Sequence, residues 1–390
     1  FSCGSASALP PCYPIPISGP TTIMTAGIYN LITSIIGTIT IAANNVDLDL
    51  CSYQINAAGA AHAINATGND LKIHNGTVTG ATTAGLHVSG SQAIIIQDIR
   101  ALANTDALGI SLASTNTCCS LINCTATKNS TGFQDLGSAA TRIVGAMACD
   151  NSADGFSLRA NELVASKIYA KSNGSDGIRI SGTSFLIDLF TALNNSGHGL
   201  HIESQSGVAT QNGICYQGNS AGNGSTGIFL DANSEDISNV MIESCKIMSN
   251  GTHGISCDGN SATVMECQMC DNEILSNGLN GIILAVGSGQ TERIQIINNK
   301  LLRNGVGIAG PVFGITIGGG IFVAGGAGAT ATTHEIFGNK AAQNGTNAPS
   351  STTTNYSNNV QASPASGPAS PNGLVVLVAS GVGVLENISS

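Results

Sequence analysis

The chain has 390 residues, of which 42% are hydrophobic and only 9% charged, with 49 glycines, no Trp and 4% aromatics. So little charge argues against long solvated helices, and 13 basic against 23 acidic residues, a net charge of −10, leave no basic face for nucleic acid. Twelve cysteines are many for an intracellular protein, and an opening at Phe1 rather than Met is expected of a processed product. Both point to a secreted protein, extracellular or on a cell or virion surface.

Residues 1–20 form an irregular, Pro-rich lead-in carrying Cys3 and Cys12. The two are a disulfide candidate, although unpaired or differently paired thiols fit the sequence equally, because spacing does not fix connectivity. From Thr21 the chain alternates in short β-branched bursts, Thr38-Ile-Thr-Ile41 and Val46-Asp-Leu-Asp-Leu50, punctuated by Gly27, Gly37 and Asn44-Asn45. Period-2 alternation of this kind predicts strands.

A phrase then recurs: Asn, Gly or Ser, two variable residues, Gly and a large apolar residue. It reads Asn151-Ser-Ala-Asp-Gly-Phe156, Asn173-Gly-Ser-Asp-Gly-Ile178 and Asn195-Ser-Gly-His-Gly-Leu200, then returns at Asn223, Asn250 and Asn277. A shorter copy, Asn129-Ser-Thr-Gly-Phe133, precedes them. A fixed period of this size marks stacked supersecondary units. After each Gly the apolar residues come in pairs, as in Phe156/Leu158, Ile178/Ile180 and Leu200/Ile202. Residues at i and i+2 of a strand share a face, so these pairs predict inward aliphatic columns. The Asn predicts an inward ladder from coil to coil, and the Gly predicts the turn. Around Cys118-Cys119 the register is expected to shift, with Leu136 taking the inward place one residue late. Crowded glycines from Gly305 to Gly328 predict a distorted coil.

Residues 346–373 have the Thr, Asn, Ser, Pro and Ala composition of a linker. Beyond it, in 374–390, lies an apolar strand built of Leu374, Val375, Val376, Leu377, Val378, Val382, Val384 and Leu385. The run from Gly373 to Leu385 is too short to span a bilayer, which takes about 20 residues.

The Gly-Ile-Tyr opening, the Thr-Ile-Thr-Ile strand and the repeats resemble the right-handed parallel β-helix superfamily, the pectate-lyase-like solenoids, over residues 21–345. The resemblance implies an all-β, single-stranded right-handed parallel β-helix of about ten to eleven coils. It implies no single function, since that superfamily holds polysaccharide-acting enzymes and non-enzymatic surface proteins alike. Asn104-Thr105-Asp106 and Gly197-His198-Gly199 also resemble motifs of the polygalacturonase family. Here, however, Asp106 is followed by Ala-Leu rather than Gly, no Asp-Asp pair lies between the motifs, and Arg179-Ile180 precedes Gly-His-Gly instead of following it.

Chemistry has one foothold in the repeat. The residue before the turn Gly is Asp154, Asp176 and His198 in consecutive coils, and the next outward strand position holds Arg179 and His201. Arg159 and Glu203 lie two residues further along. Stacked carboxylates about 5 Å apart suit acid–base work or a calcium ion, and no other cofactor is implied. Later coils carry Thr226, His253 and Asn280 there, the pattern of an unconstrained polar turn. Cys267-Gln-Met-Cys270 lacks the second pair that a zinc site needs, and Cys124, Cys149, Cys245 and Cys257 read as small buried hydrophobes. Among many Asn-x-Ser/Thr sequons, Asn344 and Asn355 beside the linker are the glycosylation candidates.

Two functions follow. The first is a structural rod that associates with itself, into a filament if residues 374–385 add to a neighbour's open sheet edge; the same segment folding back on its own solenoid is the alternative. The second is a polysaccharide lyase, hydrolase or glycan-binding adhesin using the outer face near Asp154, Asp176, Arg179, His198 and His201.

Overall fold

The computed structural model describes residues 13–104, 106–159, 161–286, 290–305, 321–323, 335–337 and 339–342. The apolar pairs of the repeat form strands that stack in register. Phe156, Ile178, Leu200, Ile228, Ile255 and Ile282 are successive partners, as are Leu158, Ile180, Ile202, Leu230, Cys257 and Leu284. None of these is more than 2% exposed. Their strands belong to one sheet whose members follow in sequence order from Thr21–Ile23 to Ile321–Val323. Among the described residues the other strands close the solenoid as a second, 27-stranded assembly, and every pairing between strands is parallel. The result is an all-β parallel solenoid of about eleven turns. Among the described residues there is no helix, and so none long and apolar enough to cross a membrane.

The expected asparagine ladder is present and continuous through Asn104, Asn129, Asn151, Asn173, Asn195, Asn223, Asn250, Asn277 and Asn304. Each amide Nδ2 donates to the Oδ1 of the next Asn at 2.8–3.2 Å. The same Oδ1 also accepts the backbone N–H of the preceding ladder Asn, as Asn195 Oδ1 does from Asn173. The second amide proton goes to a main-chain carbonyl, such as Ala148 O for Asn173. From Asn129 to Asn277 every side-chain donor and both acceptor sites are used, which is what makes a buried amide tolerable. Asn272, Asn299 and Asn339 form a second ladder that the repeat phrase does not reveal. Ladder membership also buries the sequon residues Asn129, Asn173, Asn223 and Asn250.

The glycine of the phrase has a different cause from the expected turn. Its backbone is not left-handed; instead, a Cβ on Gly155 would lie 2.5 Å from the Gly177 carbonyl oxygen in the next coil. The left-handed corner falls one residue before each ladder Asn, at Asp150 (φ 54), Ser172 (φ 54), Asn194 (φ 52), Ser249 (φ 54) and Ser276 (φ 53), and only Gly222 among these corners is a glycine. Coil contact, not turn geometry, selects the repeated Gly.

Leu136 does not take the inward place. The strand Phe133–Asp135 keeps the common phase, so Phe133 stacks on Phe156 at 4.8 Å and Asp135 partners Leu158. Leu136 is 47% exposed. The buried Asp135 carboxylate is tolerated because it accepts the N–H groups of Gly137 (3.0 Å) and Ser138 (2.8 Å) and the Thr141 hydroxyl (2.8 Å). Burial still pushes its pKa up.

The ten described cysteines are free thiols; Cys124, Cys245 and Cys257 are buried as expected, whereas Cys149 is only half-buried. Cys267 is buried and Cys270 is not, which separates the two thiols as i and i+3 on a strand require. Cys3, Cys12, Asn344, Asn355, the linker and Leu374–Leu385 lie outside the described residues, as does most of Gly305–Gly328.

A paired substitution tests the two glycine roles. Gly155→Ala should lower stability by about 1–3 kcal/mol through overpacking, whereas Ser172→Gly should raise it by up to about 1 kcal/mol by relieving left-handed strain. Thermal or denaturant unfolding checks both, and equal destabilisation by the two would refute the assignment.

Candidate functional site

The residues before the repeated Gly stack in one column, as the period requires, but they are not solvent-facing turn residues. Asp154 and Asp176 are 7% and 6% exposed. Each places an acceptor over the next coil: Asp154 Oδ1 accepts the N–H of Asp176 at 3.1 Å, and Asp176 Oδ1 that of His198 at 2.7 Å. His198 Nδ1 accepts from Thr226 N–H at 3.3 Å, and His253 Nδ1 from Asn280 N–H at 3.2 Å. The variation at this position is therefore constrained. Asp and His at these four places meet one requirement, a side-chain acceptor above a peptide N–H.

The outward strand positions form two further rows. Ser157, Arg179, His201, Phe229 and Ser256 are register partners, and beside them run Glu203, Asp231 and Asp258. The expected residues thus converge. Arg179 donates to Glu203 Oε2 at 2.6 Å and lies 3.8 Å from Asp154 Oδ2. Glu203 also accepts from the Gln205 amide, and its carbonyl accepts from Thr210 Oγ1 at 2.6 Å. His201 Nδ1 meets Asp176 Oδ2 at 2.7 Å, while its Nε2 is 3.8 Å from Asp231 Oδ2. The Phe229 ring stacks on His198 at 4.6 Å and on His201 at 5.1 Å. Arg159, at the end of the Phe156–Arg159 strand, partners Ser181.

Protonation follows from these contacts. Burial drives His198 down to about 4, so it is neutral at pH 7, with Nδ1 the acceptor and the proton on Nε2. Burial also opposes charge on His201, but the Asp176 hydrogen bond and the Asp231 carboxylate outweigh it and raise His201 to about 9. At 3.8 Å Asp231 acts as a neighbouring charge rather than a hydrogen-bond partner. Burial alone would raise Asp176, yet its bond to His201 leaves it below the usual carboxylate range. Asp154 is raised by burial, and Asp258 by burial and then by Asp231. The Glu203 hydrogen bond holds Arg179 firmly charged.

Asp176, His198 and His201 each offer a ligand atom, and these atoms lie within 4.8 Å of one another. Both Asp176 oxygens are already engaged, one by a peptide N–H and one by His201. The other proposed constellation does not assemble. Asn104 is a buried ladder residue, and its coil is four coils from that of His198, roughly 19 Å along the axis.

The coils also lengthen at this site. One residue, 182, joins the strand Ile178–Ser181 to the next, but six, 204–209, follow Leu200–Glu203 and five, 232–236, follow Ile228–Asp231. Phe229, Asp231, Asp258 and Gln205 were not apparent as site residues in the repeat phrase. Counting outward positions coil by coil would have found the first three, whereas Gln205 lies in the inserted connector.

A family profile described as right handed beta helix region matches residues 108–269. The chain is a right-handed parallel β-helix. Solved structures of this fold align with it over most of its length. A single-substitution mutant of the periplasmic alginate epimerase AlgG matches with a TM-score of 0.54 at 14% identity, over 80% of this chain and 77% of that one. The A-module of a mannuronan C-5 epimerase from Azotobacter vinelandii gives 0.43 at 14% identity, over 82% and 89%. The Dettilon tailspike protein gives 0.47 at 16% identity; 80% of this β-helix is covered, and it spans 62% of the tailspike chain. No curated protein sequence matches it.

His253 tests the capping column. Its pKa is lowered by burial from 6.5 to about 4, so below pH 6.5 the unfolded chain takes up a proton that the folded chain refuses. Stability is therefore lost as pH falls through that window. His253→Asn keeps a side-chain oxygen that can accept the Asn280 N–H and has no group that titrates, so it should make the decline between pH 6.5 and 4 shallower. Denaturant midpoints at pH 7 and 4.5 measure this; an unchanged difference would rule it out.

Proposed function

We propose that the outer face around Phe229 binds a polysaccharide laid along the solenoid axis. One observation carries the reading: a half-buried aromatic ring is ringed by polar atoms that the fold itself leaves unused. His198 Nε2–H, His201 Nε2 and the carboxylates of Asp231 and Asp258 lie beside Phe229, and Arg179 Nε lies two coils back along the same row. The column atoms, by contrast, are spent on the backbone. A site of fixed polar groups around an apolar platform is suited to a sugar, whose ring offers hydroxyls at its edge and C–H groups on its face. The five coils from Ser157 to Ser256 cover about 19 Å, room for several sugar units.

Charge narrows the class. Arg179 and His201 are outnumbered by Asp154, Asp176, Glu203, Asp231 and Asp258, on a chain of net charge −10. A neutral or amino-sugar polymer fits this face better than a polyanion. A solved structure of this fold is named an alginate epimerase; the accord is with a polysaccharide ligand in general and not with the polyanionic class, and such a ligand would be met at the cell surface or outside it.

Binding to a panel of neutral, amino and acidic polysaccharides, by calorimetry, tests the reading. Phe229→Ala should weaken the best ligand about tenfold or more without altering the circular dichroism. No binding across the panel, or equal binding by the variant, would overturn it. Reducing-end and unsaturated-product assays on the same panel separate an enzyme from an adhesin. Self-association through residues 374–385 is the second reading, favoured by an apolar segment placed beyond a 28-residue polar linker in the sequence. Deletion of 372–390 should abolish any assemblies seen in electron micrographs, and their persistence would eliminate strand donation.

A further inference from the structure

The His201 imidazole is tightly held on the outer face. It is 9% exposed. Its Nδ1 is held by Asp176 Oδ2 at 2.7 Å, and Asp176 is itself fixed by the His198 N–H. Phe229 covers one side of the ring and His198 packs against another. Its remaining nitrogen, Nε2, has no hydrogen-bond partner. A buried ring nitrogen without a hydrogen-bond partner costs about 1–3 kcal/mol.

The direction of Nε2 supplies the explanation. The facing atom is Asp231 Oδ2 at 3.8 Å, too far for a hydrogen bond. Two donors each about 2.1 Å from a common zinc-class ion stand about 3.4 Å apart at a tetrahedral angle and about 3.8 Å apart at roughly 130°. Asp258 is the register partner of Asp231 on the next strand and brings a second carboxylate to the same row, about 4.8 Å along. Behind the ring, the Asp176 carboxylate on Nδ1 is the arrangement that orients a metal-ligating histidine and raises its basicity.

We propose that His201 Nε2 and Asp231 hold a divalent transition-metal ion of the zinc class on this face, with Asp258 as the adjoining carboxylate and Asp176 as the positioning residue. The ion takes the place of the proton on Nε2, so one proton leaves His201 as the ion binds. His198 is not a ligand in this arrangement, because its Nδ1 accepts the Thr226 N–H and its Nε2 carries the proton. The coordination is open, with positions left for a water or a ligand hydroxyl, as in sites that act on a bound molecule rather than merely stapling a fold.

Titration of the full chain with Zn²⁺ and Co²⁺ alone, with no glycan present, tests the site. One ion per chain is expected, accompanied by proton release, and the Co²⁺ form should show weak visible bands without the strong near-ultraviolet absorption of thiolate ligands. His201→Gln and Asp231→Asn should each abolish that binding, and Asp176→Asn should weaken it about 10- to 100-fold. His74→Gln, at a separate His–Asp pair 2.8 Å apart, should leave it intact. Thiolate bands, binding that survives His201→Gln, or no binding below millimolar concentration would overturn the site. Should His201→Gln fail to fold, the cobalt spectrum of the unmodified chain and the Asp231→Asn variant still decide. Because the ion alone is the probe, failure here leaves the polysaccharide reading standing.

Discussion

Register between coils is the constraint on which this solenoid depends, and the buried asparagine ladder enforces it. Aliphatic columns reward stacking but discriminate poorly between one alignment and the next, because Ile over Leu is nearly as good as Ile over Ile. An amide is less forgiving. Each ladder Asn donates twice and accepts twice within its neighbours' reach, so slipping one coil leaves several buried polar atoms without partners at once. Hydrophobic burial supplies most of the stabilisation, while the ladder selects the alignment.

That alignment carries the outer face with it. Once Asn173 lies over Asn195, Asp176 must lie beside His198, and Arg179 must face His201. The column of Asp154, Asp176 and His198 is thus both scaffold and electrostatic frame. One atom of each side chain fixes the next peptide, and Asp176 uses its other oxygen to set the charge and orientation of His201. The atoms left over, on His201, Asp231 and Asp258, are held at defined places by backbone stacking rather than by mobile loops.

Much of this was legible in the sequence, because a parallel stack converts spacing directly into contact. The apolar pairs, the ladder from Asn129 to Asn277 and the juxtaposition of Asp154, Asp176, Arg179, His198 and His201 all follow from a constant period. Features that depend on what a side chain does once buried did not follow. Asp135 occupies an aliphatic place because three donors happen to meet it there, and no periodicity announces them. The capping role of Asp154, Asp176, His198 and His253 was hidden for the same reason, since polar residues in this column look interchangeable until the peptide N–H above each of these four is seen. The Gly looks like a turn residue in the sequence, yet the left-handed corner lies five residues earlier, on Asp150 or Ser172, where composition gives no hint.

The unequal connectors have a consequence for how such a molecule can diversify. The spacing between ladder residues jumps from 22 to 28 at Asn195 and then holds at 27, yet the amide bonds across the jump are unchanged at 2.9 Å. The extra residues are absorbed at one corner, in 204–209 and 232–236, beside the charged rows. Insertions there are invisible to the stack, so the rod can be lengthened by duplicating coils and given new selectivity by varying corner loops, as two independent operations. A lineage of such proteins would then keep its backbone pitch while changing ligands freely, and the same corner is the natural place to graft a foreign binding loop.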